Sequence, residues 1–343
     1  MNRLTLTAHD RTEVAPLLSD ITARYTSIED PELLRRAPLL ARRLPAGLLE
    51  FLEDHRLREP AALCLVSGFE VDEEEAGPTP GHWRGSHVSS PTLRYEVFFL
   101  LCASVLGDVF GWATQQDGRI MHDVLPIKGH EHYELGSNSL QHLSWHTEDA
   151  FHPCRGDYVA LMCLKNPDAV ETTVCDAGDL DWSALDVDAL FEPAFTQMPD
   201  NSHLPVNSTS TDEGDPTIRR LREGSFKTIE EWNANPVERP VLFGDRANPY
   251  MVLDPYHMKT EGWSERSLAA YTGLCGEIES KMKSVALEPG DVAFIDNFRA
   301  VHGRSSFRAR YDGTDRWLKR LNITRNLRGS RGWRPAADNR VIY

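Results

Sequence analysis

Along the first 60 residues apolar positions recur at helical spacing, with Leu33, Leu34, Leu39, Leu40, Leu48, Leu49 and Leu52 set among charged neighbours. This pattern predicts packed helices. Ala61 to Val66 is a short apolar run closed by Ser67-Gly68 and reads as a buried strand, while residues 92 to 107 read as a buried helix. Between them, residues 72 to 91 carry Glu73-Glu74-Glu75 and several Gly and Pro, and read as a loop. From about residue 112 the period changes. Short strand candidates follow at 119–125, 139–148, 157–164, 240–243, 249–254, 292–296 and 316–325, separated by Gly, Pro and Asp clusters and interrupted by one helix, Glu265 to Lys283. That spacing predicts a mainly β fold with flanking helices, a sandwich or jelly roll. The polar stretch 201–224 is a candidate lid or surface loop.

No second self-contained composition follows any loop, so the expectation is one catalytic domain, 1–343. Its helix-rich part, 1–110, packs on a β core, 111–343. A hydrophobic content of 41% supports a sizeable core, whereas the net charge of -15 disfavours nucleic acid and anionic lipid as partners. A small cationic or zwitterionic ligand fits better. The amino terminus lacks the apolar stretch of a signal peptide and no apolar run reaches membrane-spanning length, so the expected location is the cytoplasm. The six cysteines are scattered without a Cys-x-x-Cys pair and read as free thiols.

The candidate chemistry lies in His146-Thr147-Glu148 and in Val301-His302-Gly303-Arg304. Two imidazoles and one carboxylate are the ligand set of a mononuclear non-haem iron(II) site with open positions. On a strand His146 and Glu148 would share a face, and His302 would close the triad. By chance, 13 histidines and 52 acidic residues should give roughly two His-x-Asp/Glu matches. The second is His132-Tyr133-Glu134, bracketed by Gly129 and Gly136, which reads as a solvated loop near the mouth of the site. His146-Thr147-Glu148 instead precedes the apolar run Tyr158 to Leu164, where an unpartnered carboxylate would be costly and a metal supplies the partner. Further on, Arg316, Leu318 and Arg320 share a strand face, so two guanidinium forks could receive carboxylates.

These blocks resemble the clavaminate-synthase-like iron(II)/2-oxoglutarate oxygenases, in particular free amino acid hydroxylases such as the viomycin-pathway arginine hydroxylase, asparagine oxygenase and certain lysine hydroxylases. The resemblance runs from about Gln115 to Asn326. It is strongest in His146 to Phe151 with Arg155, Asp157 and Tyr158, in Asp296-Asn297 through Arg304, and in Arg308 to Leu318. It implies a distorted double-stranded β-helix, iron(II) held by His146, Glu148 and His302, and 2-oxoglutarate and dioxygen as cosubstrates. Arg316 would take the distal carboxylate of 2-oxoglutarate and Arg320 the substrate carboxylate. Glu148, with Gln116 or its neighbour Gln115 and with Ser137, would receive the α-amino group. The family's Asp-x-Asp pair for a guanidinium reads here Asp254-Pro255-Tyr256, keeping one aspartate.

The implied reaction hydroxylates Cβ or Cγ of a free L-amino acid with a nitrogen-bearing side chain, as in antibiotic biosynthesis. Arginine-like substrates, including citrulline and enduracididine, rank ahead of lysine, and the departure at Tyr256 leaves the choice among them open. A carrier-bound amino acid is a second reading. A zinc hydrolase and a non-catalytic binding jelly roll are readings from other classes.

Overall fold

The computed structural model describes residues 1–84, 90–205 and 215–343. Two β-sheets face each other. The larger runs in the order Asn2–Thr5, Leu63–Ser67, Val292–Asp296, Tyr158–Lys165, Trp317–Thr324, Asp108–Trp112 and Val341–Ile342, with His122–Val124 also paired to Trp317–Thr324. The smaller runs Lys283–Ala286, Glu171–Asp176, Ala300–Arg304 and Leu143–His146. This is the jelly-roll architecture that the strand spacing predicts.

Alternation along the central strands divides the core. Val159, Leu161 and Cys163 of Tyr158–Lys165 join Leu63, Leu65, Ala293, Ile295 and Leu318 in the layer between the sheets, where Val174 and Ala300 meet them. Tyr158, Ala160, Met162 and Leu164 point the other way, into a larger core shared with four helices: Ala8–Thr22, Pro31–Ala41, Ala46–Arg58 and Leu93–Leu106. Because both faces are covered, this strand is apolar almost throughout. The helix Glu265–Lys281 covers the outer side of the smaller sheet through Ala270, Tyr271, Leu274 and Ile278, against Cys175 and Val301. Its entry is set by Ser264, whose hydroxyl accepts the Ser267 N–H.

Several expectations need correction. Residues Asn2–Thr5, expected to be helical, form an edge strand parallel to Leu63–Ser67, a register that four polar-apolar alternating residues specify only weakly. The 72–91 loop contains a helical turn, Glu73–Ala76, and its residues 85–89 lie outside the described ones. Of the proposed lid, Asn201–His203 is a short turn, 206–214 lie outside the described residues, and Pro216–Ala234 is a helix capped by Asp215. That helix fully buries only Ser225 and Ile229, yet Ile218, Leu221, Ile229 and Trp232 recur at helical spacing, a signal that the polar reading of 201–224 overlooks. All six cysteines are free thiols. Among the described residues no helix is long and apolar enough to cross a membrane.

The strand Trp317–Thr324 carries charge on both faces. On the helix side, Lys319 Nζ lies 3.0 Å from Glu96 and 2.6 Å from Asp123, all three buried, and the Trp317 indole donates to Asp123 at 2.7 Å. Removing the cation would leave two carboxylates unmatched in a dry interior. Lys319→Met should therefore lower stability by about 3 kcal/mol. A urea unfolding midpoint equal to that of the parent protein would show that the triad contributes nothing.

Candidate active site

The site forms where the smaller sheet ends. His146 is the last residue of Leu143–His146 and sits directly opposite His302 in the antiparallel pair, with ring centroids 4.7 Å apart. Between His302 and Arg304 the register shifts at Gly303, where a Cβ would meet the Leu143 carbonyl oxygen at 2.6 Å. Only glycine permits that close approach.

Glu148 does not continue the strand, contrary to the expected shared strand face. Instead, Thr147 is held by Leu253: its N–H donates to the Leu253 carbonyl at 2.8 Å, and its hydroxyl accepts the Leu253 N–H at 3.2 Å. These two bonds turn the chain and draw Asp254 into the site. Asn297 then fixes the next residue, accepting the Glu148 N–H at 2.8 Å and donating to the Glu148 and Gly156 carbonyls at 3.0 Å each. As a result the Glu148 Oε2 atom lies 3.5 Å from His146 Nε2 and 3.4 Å from His302 Nε2.

One donor atom from each of these three residues lies within 4.8 Å of the other two. Metal–nitrogen and metal–oxygen bonds of about 2.1 Å at right angles place donors about 3 Å apart, so the cage is of the size and donor type for a first-row divalent ion. Burial would depress both histidines. For His146 the bond to Glu148 and the charges of Asp254 and Glu148 overcome burial and raise it to about 10, whereas for His302 burial prevails and lowers it. Glu148 resists burial and stays well below its ordinary value because Arg320 and the two histidines hold its charge.

Arg316, Leu318 and Arg320 line the same chamber, as strand alternation predicts. Arg316 is only 6% exposed; among the described residues its Nε has no partner and its one bond is to the Thr172 hydroxyl at 3.4 Å. Burial without an anion pulls its guanidinium down to about 10. A buried cation facing a cavity with no carboxylate paired to it fits a ligand that brings one. Arg304 stands nearby but is engaged, donating to the Asn138 carbonyl at 2.8 Å and to the Gln141 carbonyl at 3.1 Å.

Arg320 is less free than expected. It donates to Glu148 Oε1, to Gln115 Oε1 at 2.8 Å, and lies 2.8 Å from His122 Nδ1. Of the two glutamine candidates, Gln115 is therefore the one brought to the site. Gln116 is tied to the Asp123 backbone, at 2.9 Å and 3.1 Å; both glutamines line an adjoining chamber that Arg320 also borders, and Gln115 alone of the two bonds to Arg320. Ser137 borders that same chamber, with its hydroxyl 2.9 Å from His130 Nδ1. The competing pair His132 and Glu134 is not assembled as ligands. Glu134 is buried rather than solvated, and accepts the Ser144 N–H at 2.7 Å.

Asp254 lies at the chamber wall as expected, and two residues not singled out by sequence join it there, Asp200 and His257. A third, His203, is fully buried 2.9 Å from Asp149, which also accepts the Trp112 indole N–H at 2.6 Å. This network ties the turn Asn201–His203 to the residue that follows Glu148. Nothing in the spacing of these residues signals it, because the turn that carries Asp200 and His203 lies far along the chain from Asp149 and His257.

Residues 102–322 match the family model described as taurine catabolism dioxygenase TauD, TfdA family. The chain belongs to that family. It is 73% identical over 344 aligned positions to the L-ornithine/L-arginine 3-hydroxylase of Catenulispora acidiphila, and 43% identical to the enduracididine beta-hydroxylase of Streptomyces hygroscopicus, each alignment covering 100% of both chains. Among solved structures it is similar to the non-heme iron oxygenase OrfP in complex with Fe, succinate and (3S)-hydroxy-L-Arg, with a TM-score of 0.93, 44% identity and 100% of both chains covered. This dioxygenase family and its amino acid hydroxylase members agree with the resemblance carried by the sequence blocks.

If the cage holds the metal, His146→Ala and His302→Ala should lose bound iron after anaerobic reconstitution while keeping the circular dichroism of the parent. His132→Ala and Glu134→Gln should retain iron. Iron analysis that reversed this order would move the centre to the other pair.

Proposed function

We propose that this protein is an iron(II)- and 2-oxoglutarate-dependent hydroxylase that oxidises Cβ of a free L-amino acid with a cationic side chain, arginine or ornithine. One observation carries the reading: a single chamber holds a His-Glu-His cage, an unpaired buried guanidinium and a pair of carboxylates, Asp200 and Asp254. The 73% identical relative is named for ornithine and arginine and for position 3, which supports Cβ over Cγ.

His146, Glu148 and His302 would hold iron(II), which when bound activates dioxygen at the expense of 2-oxoglutarate and so supplies the oxidant for an unactivated C–H bond. Arg316 would fix the distal carboxylate of the cosubstrate, where the charge it meets removes the penalty of its own burial. Arg320 is positioned for the substrate α-carboxylate and Glu148 with Gln115 for the α-amino group, so the amino acid head is gripped beside the cage. Asp254 and Asp200 would receive the cationic end of the side chain. Holding both ends leaves the carbons near the head as those closest to the metal, and regioselectivity follows from that placement.

Separate residues for separate ligands give separable effects. Arg316→Ala should raise the 2-oxoglutarate requirement roughly 10- to 100-fold while changing the amino acid requirement little. Asp254→Ala should do the reverse. Equal shifts in both ligands for either variant would contradict this division.

The overall reading is tested by incubating the iron-loaded enzyme with 2-oxoglutarate and single amino acids, following succinate and a gain of one oxygen by mass spectrometry. Arginine and ornithine should lead. Anaerobic addition of iron(II) and 2-oxoglutarate should also give a weak visible charge-transfer band. Turnover confined to apolar or acidic amino acids, or no band at all, would overturn the proposal.

A further inference from the structure

We infer that His257 is a specificity-determining residue, which through its bond to Asp254 sets whether the chamber prefers a cationic or a neutral end on the substrate side chain. The inference rests on the functional reading above. His257 closes the single turn Pro255–His257, and both it and Asp254 line the chamber. The ring lies with Nδ1 2.8 Å from Asp254 Oδ2, and the two side chains are only 10% and 8% exposed. On its other side Nε2 accepts the Asn201 N–H at 3.3 Å, and the backbone of the same residue accepts the Met198 N–H at 2.8 Å.

Both ring contacts coexist in one state alone. Nδ1 must carry hydrogen to donate to the carboxylate, and Nε2 must be bare to accept from Asn201, so the geometry is that of a neutral imidazole. In that state Asp254 keeps its full negative charge. Its Oδ1 has no donor among the described residues, and is the oxygen left for a ligand N–H. Protonation would place an Nε2–H against the Asn201 N–H, donor facing donor. It would also neutralise Asp254 within an ion pair.

The charged groups acting on the ring are Asp254 on its own turn, Asp200 on the facing turn and His146 on the neighbouring strand. Burial opposes a charge on His257, while the bond to Asp254 and the charges of Asp254 and Asp200 outweigh burial and raise its titration above the ordinary histidine range; His146 acts the other way. The ring therefore changes state above the ordinary histidine range. Above that titration the chamber end carries the charges of Asp254 and Asp200 and favours a cation. Below it, half of that charge is cancelled and a neutral terminus gains relative to a cation.

Arginine and citrulline form the probe pair, since guanidinium and ureido groups are nearly isosteric and differ in charge. Their common α-amino and carboxylate groups cancel in a ratio. For the iron(II)- and 2-oxoglutarate-loaded enzyme, kcat/KM for arginine divided by that for citrulline should rise about tenfold as pH increases through the titration of His257, in a single step. Anaerobic binding affinities of the two amino acids should give the same trend. H257Q, which can donate to Asp254 but cannot charge, should show a pH-independent ratio near the high-pH value of the parent. A flat ratio in the parent, or the same titration persisting in H257Q, would overturn the inference and leave the hydroxylase reading intact. Failure of the parent to bind or turn over either amino acid would overturn both.

Discussion

Everything in the site depends on the pairing of Leu143–His146 with Ala300–Arg304. Side chains on a strand alternate between faces, so a slip of one residue would send His302 into the outer core and bring Val301 or Gly303 to face the chamber. Two constraints prevent the slip. Gly303 lets the strands approach more closely than any side chain allows, and Val301 is bound into the apolar layer beneath the helix Glu265–Lys281. Register is thus set by packing on the side away from the chemistry.

The strand Trp317–Thr324 applies the same alternation to charge. Arg316 and Arg320 face the chamber, while Lys319 faces the helices and is matched by Glu96 and Asp123. The buried lysine is locally compensated; the buried Arg316 is not. The contrast separates a charge matched within the protein from one with no paired anion among the described residues, and it arises within four consecutive residues.

Much of this was legible before any coordinates. The strands around Val159, Ile295 and Leu318 are buried on both faces or alternate cleanly, and such patterns survive in a one-dimensional text. His146 with Glu148, and Arg316 with Arg320, stand out because each pair lies within one short segment, and the fold brings both pairs and His302 to one chamber. What escaped reading depends on tertiary contacts. Glu148 is placed by Asn297 rather than by strand geometry, and Gln115 rather than Gln116 meets Arg320 because Gln116 turns back onto the Asp123 backbone. Asp200 and His203 on one turn and His257 on another converge only in the folded chain. The helix Pro216–Ala234 has an apolar stripe, Ile218, Leu221, Ile229 and Trp232, that its many charged residues mask, and Asn2–Thr5 takes its strand character from its neighbour.

The contact between Arg320 and Glu148 has a further meaning for coordination chemistry. It occupies Oε1, while Oε2 is the oxygen turned toward both histidines. A carboxylate whose second oxygen is bound to a guanidinium can give a metal one donor only. Glu148 would then offer a bound ion one oxygen beside one nitrogen from each histidine, which would leave room for ligands that come and go. Arg320, proposed for the substrate head, would in this way also limit how much of the metal the protein itself takes up.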